Sequence, residues 1–278
     1  MATHAAASGL AVPASVTVED AVTNGSTNAI TSNAVYDQVQ TLLSGIADKQ
    51  DIFDALTDMG RSTFRHWDFE HDDRDTLTAF SNAGGGSGQA VSQASTGVNS
   101  TENAIGVMDC ITGTGTTARA GLISSGNLRI GSHRLIFAAR VALSAVSDGT
   151  NTYTAYIGFI DNTGSGDMTD GIYYRYTHSV NSGKWEAVTA AATVRDPEDT
   201  GVSPVGTVND VFLVDVNEAG TEAKYYINGN LVHTQTTGLP GTGDLFVYGV
   251  KIEKSAGGTS RTLSWDEGLF IATRSSAR

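Results

Sequence analysis

Two periodicities divide this chain. Between Thr31 and Leu56 the apolar residues Val35, Val39, Leu42 and Ile46 recur at spacings of 4, 3 and 4. That is the d-a-d-a seam of a heptad helix. Continued in register, the seam passes through Lys49, Phe53 and Leu56, so only Lys49 interrupts it. Ser32 or Asn33 supplies a capping oxygen for the first free amides, and Gly60 a stop. A helix this short cannot hide such a stripe alone. It either packs on its own domain or joins copies of itself, and the near absence of later helical pattern favours a short parallel oligomeric neck over residues 31–60.

From Arg61 onward the period is two. Phe64, His66 to Glu70 and Leu77 to Phe80 suggest a first strand and its return. Leu135, Phe137, Val141 and Leu143 share one face of a strand, as do Tyr153, Ala155, Ile157 and Phe159, then Ile172, Tyr174 and Tyr176, then Phe212, Val214 and Val216. Asn228-Gly229, inside Lys224 to His233, supplies the positive φ angles of a tight type I′ hairpin. Leu245 to Ile252 and Leu263 to Ile271 add two more strands, with Gly268 a predicted bulge. Strands in series without intervening helices predict a mainly β head over 61–278, an antiparallel β-sandwich or barrel. A short N-terminal coiled-coil helix precedes it. Residues 1–30, small and polar, are either a flexible tail or an arm that orders on docking.

Composition narrows the function classes. With 17 Lys and Arg against 30 Asp and Glu, the formal charge is −13, which argues against a nucleic-acid partner. Cys110 is the single cysteine, so the chain forms no internal disulfide and no cysteine-based zinc site. No apolar run reaches the ~18 residues of a membrane span. Residues 1–14 lack the basic start and apolar core of a signal peptide, so synthesis in a cytoplasm is expected.

The stretch Ser26-Thr27-Asn28-Ala29-Ile30-Thr31-Ser32-Asn33-Ala34-Val35-Tyr36-Asp37, with Lys49-Gln50-Asp51 beyond it, resembles a segment of tailed-bacteriophage fibre and appendage proteins. There an Asn-x-[Val/Ile]-Thr-Ser-Asn-Ala-Val-[Tyr/Phe] run leads into a short trimeric helix. Ala223 to Val232, Leu239-Pro240 and Arg261 to Asp266 resemble the closing half of concanavalin A-like (laminin G-like) jelly rolls. Asn103 to Gly106, Thr112 to Thr114, Arg119-Ala120 and Asp170 to Tyr173 resemble the version of that fold at the ends of phage fibres. The resemblance implies a homotrimeric virion protein made in the host cytoplasm. Its arm would bind other virion proteins, and its jelly-roll heads would bind host-surface glycans as a tail fibre or receptor-binding protein. A capsid decoration protein or head fibre is the alternative, and a polysaccharide-degrading tailspike a third.

Candidate sites are few. Asp161, Asp167 and Asp170 lie in a Gly-rich loop that either holds Ca²⁺, which takes six to eight oxygen ligands, or is a solvated turn. No other cofactor is expected. His66 and His71 fall on opposite faces of a strand and form no site. Glycoside cleavage needs two acids at a set distance. No such spacing, Gly-x-Ser-x-Gly elbow or phosphate loop occurs, so the head is expected to bind and not to catalyse. Tyr173, Trp185 and Tyr226 are the candidate sugar-stacking residues, with Tyr173 and Tyr226 expected to face outward. The net charge favours neutral or zwitterionic glycans.

Light scattering on the purified chain should give a trimer. Val39→Asp, which buries one carboxylate per chain at the seam, should dissociate it while the strand signal in circular dichroism persists. Loss of the strands together with the helix would refute the division near residue 60.

Overall fold

The computed structural model describes residues 62–67, 80–82, 84–86, 89–95, 107–125 and 127–273. The arm and the seam residues Val35, Val39, Leu42, Ile46, Phe53 and Leu56 lie outside the described residues. Among the described residues the strands are β1 (Ser62–Trp67), β2 (Phe80–Asn82), β3 (Ala90–Ser95), β4 (Val107–Ile111), β5 (Arg119–Ser124), β6 (Arg134–Leu143), β7 (Tyr153–Ile160), β8 (Gly171–Thr177), β9 (Trp185–Ala191), β10 (Val194–Asp199), β11 (Asp210–Val216), β12 (Ala223–Ile227), β13 (Asn230–Gln235), β14 (Val247–Lys254) and β15 (Thr262–Thr273). A short 3₁₀ turn, Val180–Gly183, is the helical element among them.

The strands form two antiparallel sheets. One runs β13-β12-β11-β6-β15-β4-β3, with β1 also on β15; the other runs β10-β9-β8-β7-β14-β5-β2. β15 is long enough to pair β6 along one side while β4 and β1 share the other, β4 at Thr262–Trp265 and β1 at Gly268–Thr273. Ser62 and Arg134 both pair Thr273, so the starts of β1 and β6 and the end of β15 lie at one end of the sandwich.

Period-two alternation sends one set of side chains between the sheets. Phe137, Val141, Ile157, Phe159, Tyr174, Phe212, Val214, Val250 and Trp265 belong to one core. Its rings interlock: Phe137 lies 6.1 Å from Phe159, 5.5 Å from Tyr248 and 6.0 Å from Trp265, and Trp185 lies 4.7 Å from Phe212. Tyrosines cross the layer with their polar ends satisfied. Tyr225 Oη donates to Val188 O at 2.8 Å, and Tyr174 Oη donates towards Tyr226 O at 2.8 Å and Leu213 O at 3.0 Å.

The faces predicted for β6, β7, β8 and β11 are those observed. The Asn228-Gly229 turn has φ of 51° and 79°, as a type I′ turn requires. Other expectations change. The supposed first strand and its return are not a hairpin, because β1 pairs β15 in one sheet and β2 pairs β5 in the other. The bulge falls at Asp266, between Trp265 and Glu267. Gly268 serves a different purpose: a Cβ there would sit 2.6 Å from the Trp265 ring, so the residue makes room for the indole. The acidic stretch Arg195 to Asp199 lies in the edge strand β10, where charges and Pro197 suit an unpaired edge.

Phe137→Ala should lower unfolding free energy by about 3–5 kcal/mol without altering the denaturant m-value. A loss below ~1 kcal/mol in a urea titration would show that the three-ring contact is not central to the core.

Candidate functional site

The outward face of the seven-stranded sheet carries a charged row. Lys251 on β14, Tyr156 on β7, Arg175 on β8 and Glu186 on β9 are opposite one another in register. The β7–β8 loop, residues 161–170, folds back over this row. Lys251 Nζ donates to Asn162 O and Gly164 O at 3.1 Å and to Gly166 O at 2.9 Å, and sits 4.5 Å from the Tyr156 ring centroid. Its side chain is fully buried, with Glu253 at 3.8 Å. Burial pushes the lysine down from 10.5 to about 8, against the upward pull of Glu253 and Asp167.

The three loop aspartates do not converge. Asp161 accepts the amides of Thr169 and Asp170, each at 2.9 Å, and Asp170 accepts that of Ala192 at 2.8 Å. Asp167 accepts from Tyr173 Oη at 2.6 Å and pairs with Arg175 and with Arg195. Burial would lower the Arg175 guanidinium, but the Glu186 hydrogen bond and the Asp167 charge outweigh it and raise it. Among the described residues no group of three His, Cys, Asp or Glu side chains is placed to hold a metal ion. The cations this loop gathers are the protein's own.

The candidate stacking residues are corrected by burial. Tyr173 is 0%, Trp185 1% and Tyr226 4% exposed. Tyr173 does point to the face opposite Tyr174, but that face has its own covered cluster with Tyr156, Met168 and Val188. Trp185 lies in the main core beside Tyr176 and Phe212. Tyr226 faces away from the core yet is closed over. Alternation tells the face and not what lies on it. Cys110 is also buried, and burial followed by the Asp109 charge pushes its thiol up to about 12, so it is no nucleophile at neutral pH.

A cleft of about 420 Å³ opens between the sheets at the end where β1 begins. Its volume lies in the range of small-ligand sites. Tyr248 of β14 and Phe270 of β15, each only 3% exposed, close its inner end, stacked on one another with centroids 4.5 Å apart and planes 12° apart. Asn127, Arg129, Ser132 and His133, all from the β5–β6 connection, form a polar rim. That connection is held in place, because Leu128 N donates to Phe246 O at 2.7 Å and Phe246 N to Leu128 O at 3.2 Å. Ser132 Oγ lies 2.8 Å from His133 Nδ1. A cleft rimmed by amide, hydroxyl, imidazole and guanidinium groups can take a small polar compound. No local pattern marks it, since the rim is a short loop run and the inner wall comes from β14 and β15, far along the chain from that loop.

No family model and no curated protein matches the sequence. Solved structures do match in shape. Peanut lectin, solved with a 9-residue peptide, aligns with TM-score 0.52 at 12% identity over 78% of this chain and 99% of its own. Protein SO2946 of Shewanella oneidensis MR-1, titled a protein of unknown function, aligns with TM-score 0.54 at 14% identity over 91% and 99%. The alginate lyase AlyC3 gives TM-score 0.45 at 12% identity over 64% and 78%. The head has the concanavalin A-like jelly-roll fold. That likeness fixes the fold and leaves the ligand open.

Lys251 makes a testable contribution to stability. Below about pH 8 the lysine is protonated whether the chain is folded or unfolded, and its desolvation penalty is constant. Between about 8 and 10.5 only the folded chain has released the proton, so this contribution becomes more favourable as pH rises. The stability of wild type relative to Lys251→Met should therefore increase across that window in denaturation titrations. A flat or falling difference would refute the assignment. The variant should also lose about 2–4 kcal/mol at neutral pH, its three loop carbonyls having lost their donor.

Proposed function

We propose that this chain is a non-catalytic glycan-binding appendage of a tailed-bacteriophage virion. Residues 1–30 dock on the particle, 31–60 form a trimeric neck, and the jelly-roll heads hold host-surface saccharides. The observation that carries the glycan reading is the cleft with its polar rim. Sugar hydroxyls suit the amide, hydroxyl and guanidinium groups of such a rim. Peanut lectin shares the fold, which is consistent with this reading but does not select a ligand by itself. The virion and trimer parts rest on the Asn28-to-Tyr36 motif and the heptad seam.

Single-head affinity is expected to be weak, because shallow polar sites lose much of their contact energy to desolvation. Three heads on one neck would then raise avidity without any new contact.

The full chain should adsorb to host cells and retain a subset of a glycan panel, and it should release no reducing sugar from host polysaccharide. Adsorption should fall at least about tenfold for Val39→Asp, which separates the heads. Labelled antibody should mark the tail. Label on capsid vertices, with capsids losing stability when the protein is removed, would instead establish a decoration protein, and released sugar would establish a tailspike.

A further inference from the structure

We propose that the ligand of the cleft is a negatively charged sugar, its acidic group held at the rim by Arg129. This rests on the reading of the cleft as a glycan site and names the class of glycan.

Charge placement is the first support. The chain has 30 acidic residues against 17 Lys and Arg, yet the described residues lining the cleft include Arg129 and His133 and no Asp or Glu. Two nearby carboxylates have partners of their own. Asp215 binds Arg134 Nε and Nη2, each at 3.0 Å, and Asp244 accepts the Gly241 amide at 2.6 Å.

The second support is independent. Arg134, Arg140, Arg175, Arg195 and Arg261 each form an ion pair with a carboxylate. Arg129 is exposed and, like Arg119, pairs with no carboxylate among the described residues. A guanidinium exposed on a cleft rim, on a loop pinned at Leu128, is open to a carboxylate or sulfate.

This reverses the preference drawn from net charge. At physiological salt a charge more than ~8 Å away is largely screened. A ligand in the cleft therefore responds to Arg129 more than to the −13 spread over the whole chain.

The test uses the full chain and calorimetry or surface binding at low and physiological salt. The probes are an oligogalacturonate, its carboxyl-reduced neutral counterpart, a sulfated oligosaccharide and an acidic peptide. The expected result is binding of a charged sugar at least about tenfold tighter than the neutral one, weakening with salt. The uronate and sulfate arms distinguish the two sources of the charge. Arg129→Gln should abolish the charged-over-neutral preference and its salt dependence without changing thermal stability, and Arg129→Lys should keep part of it. Equal binding of charged and neutral sugars would overturn the inference and leave the glycan reading standing. An acidic peptide bound more tightly than either charged sugar, or no binding of any saccharide, would overturn both.

Discussion

Two buried tyrosine hydroxyls set the position of one sheet against the other. Apolar contact drives the layers together but has no direction, so it alone would tolerate sliding. Tyr225 reaches from β12 to Val188 O on β9, and Tyr174 reaches from β8 to the carbonyls of Tyr226 and Leu213. The two rings meet edge to face, 5.3 Å apart at 87°. A slip of either layer would leave a hydroxyl unbonded in the core, at a cost of about 1–3 kcal/mol per group. Burial and direction thus act together, and the strand ends, including the cleft, inherit their geometry from that constraint.

The outer face of the seven-stranded sheet shows the same rule applied to charge. A strand face exposed to water needs no cover, but here the β7–β8 loop lies across it, and the groups beneath must be paired in place. Lys251 binds three loop carbonyls, while Asp167 serves Tyr173, Arg175 and Arg195. A Gly-rich acidic loop is chemically suited to an external cation. In this fold its acceptors and carboxylates turn to internal donors, which explains why aspartates close in sequence end on separate partners.

The cleft differs because Asn127, Arg129 and Ser132 on its rim are exposed. Its inner wall belongs to the main core, and its rim is one connection whose backbone is tied to Phe246. A jelly roll leaves its strand ends free to vary while the sandwich stays constant, so shared architecture with a lectin says little about ligand chemistry. In the proposed reading, the ligand of this head is selected by a few rim side chains.

The sequence by itself determined β6 to β8 and β11 to β15, the inward faces of β6, β7, β8 and β11, and the Asn228-Gly229 turn. Those follow from local alternation and from the φ angles a residue type permits. It also placed a heptad seam over Val35 to Leu56, which lies outside the described residues. Tertiary structure alone decided three things. Pairing between β1 and β15 or β2 and β5 joins segments far apart, and no local period encodes the partner. Outward alternation marked Tyr173 and Tyr226 but could not reveal what closes over them. The cleft assembles Arg129 and His133 from one loop with Tyr248 and Phe270 from two sheets, a meeting that exists only once the layers have packed.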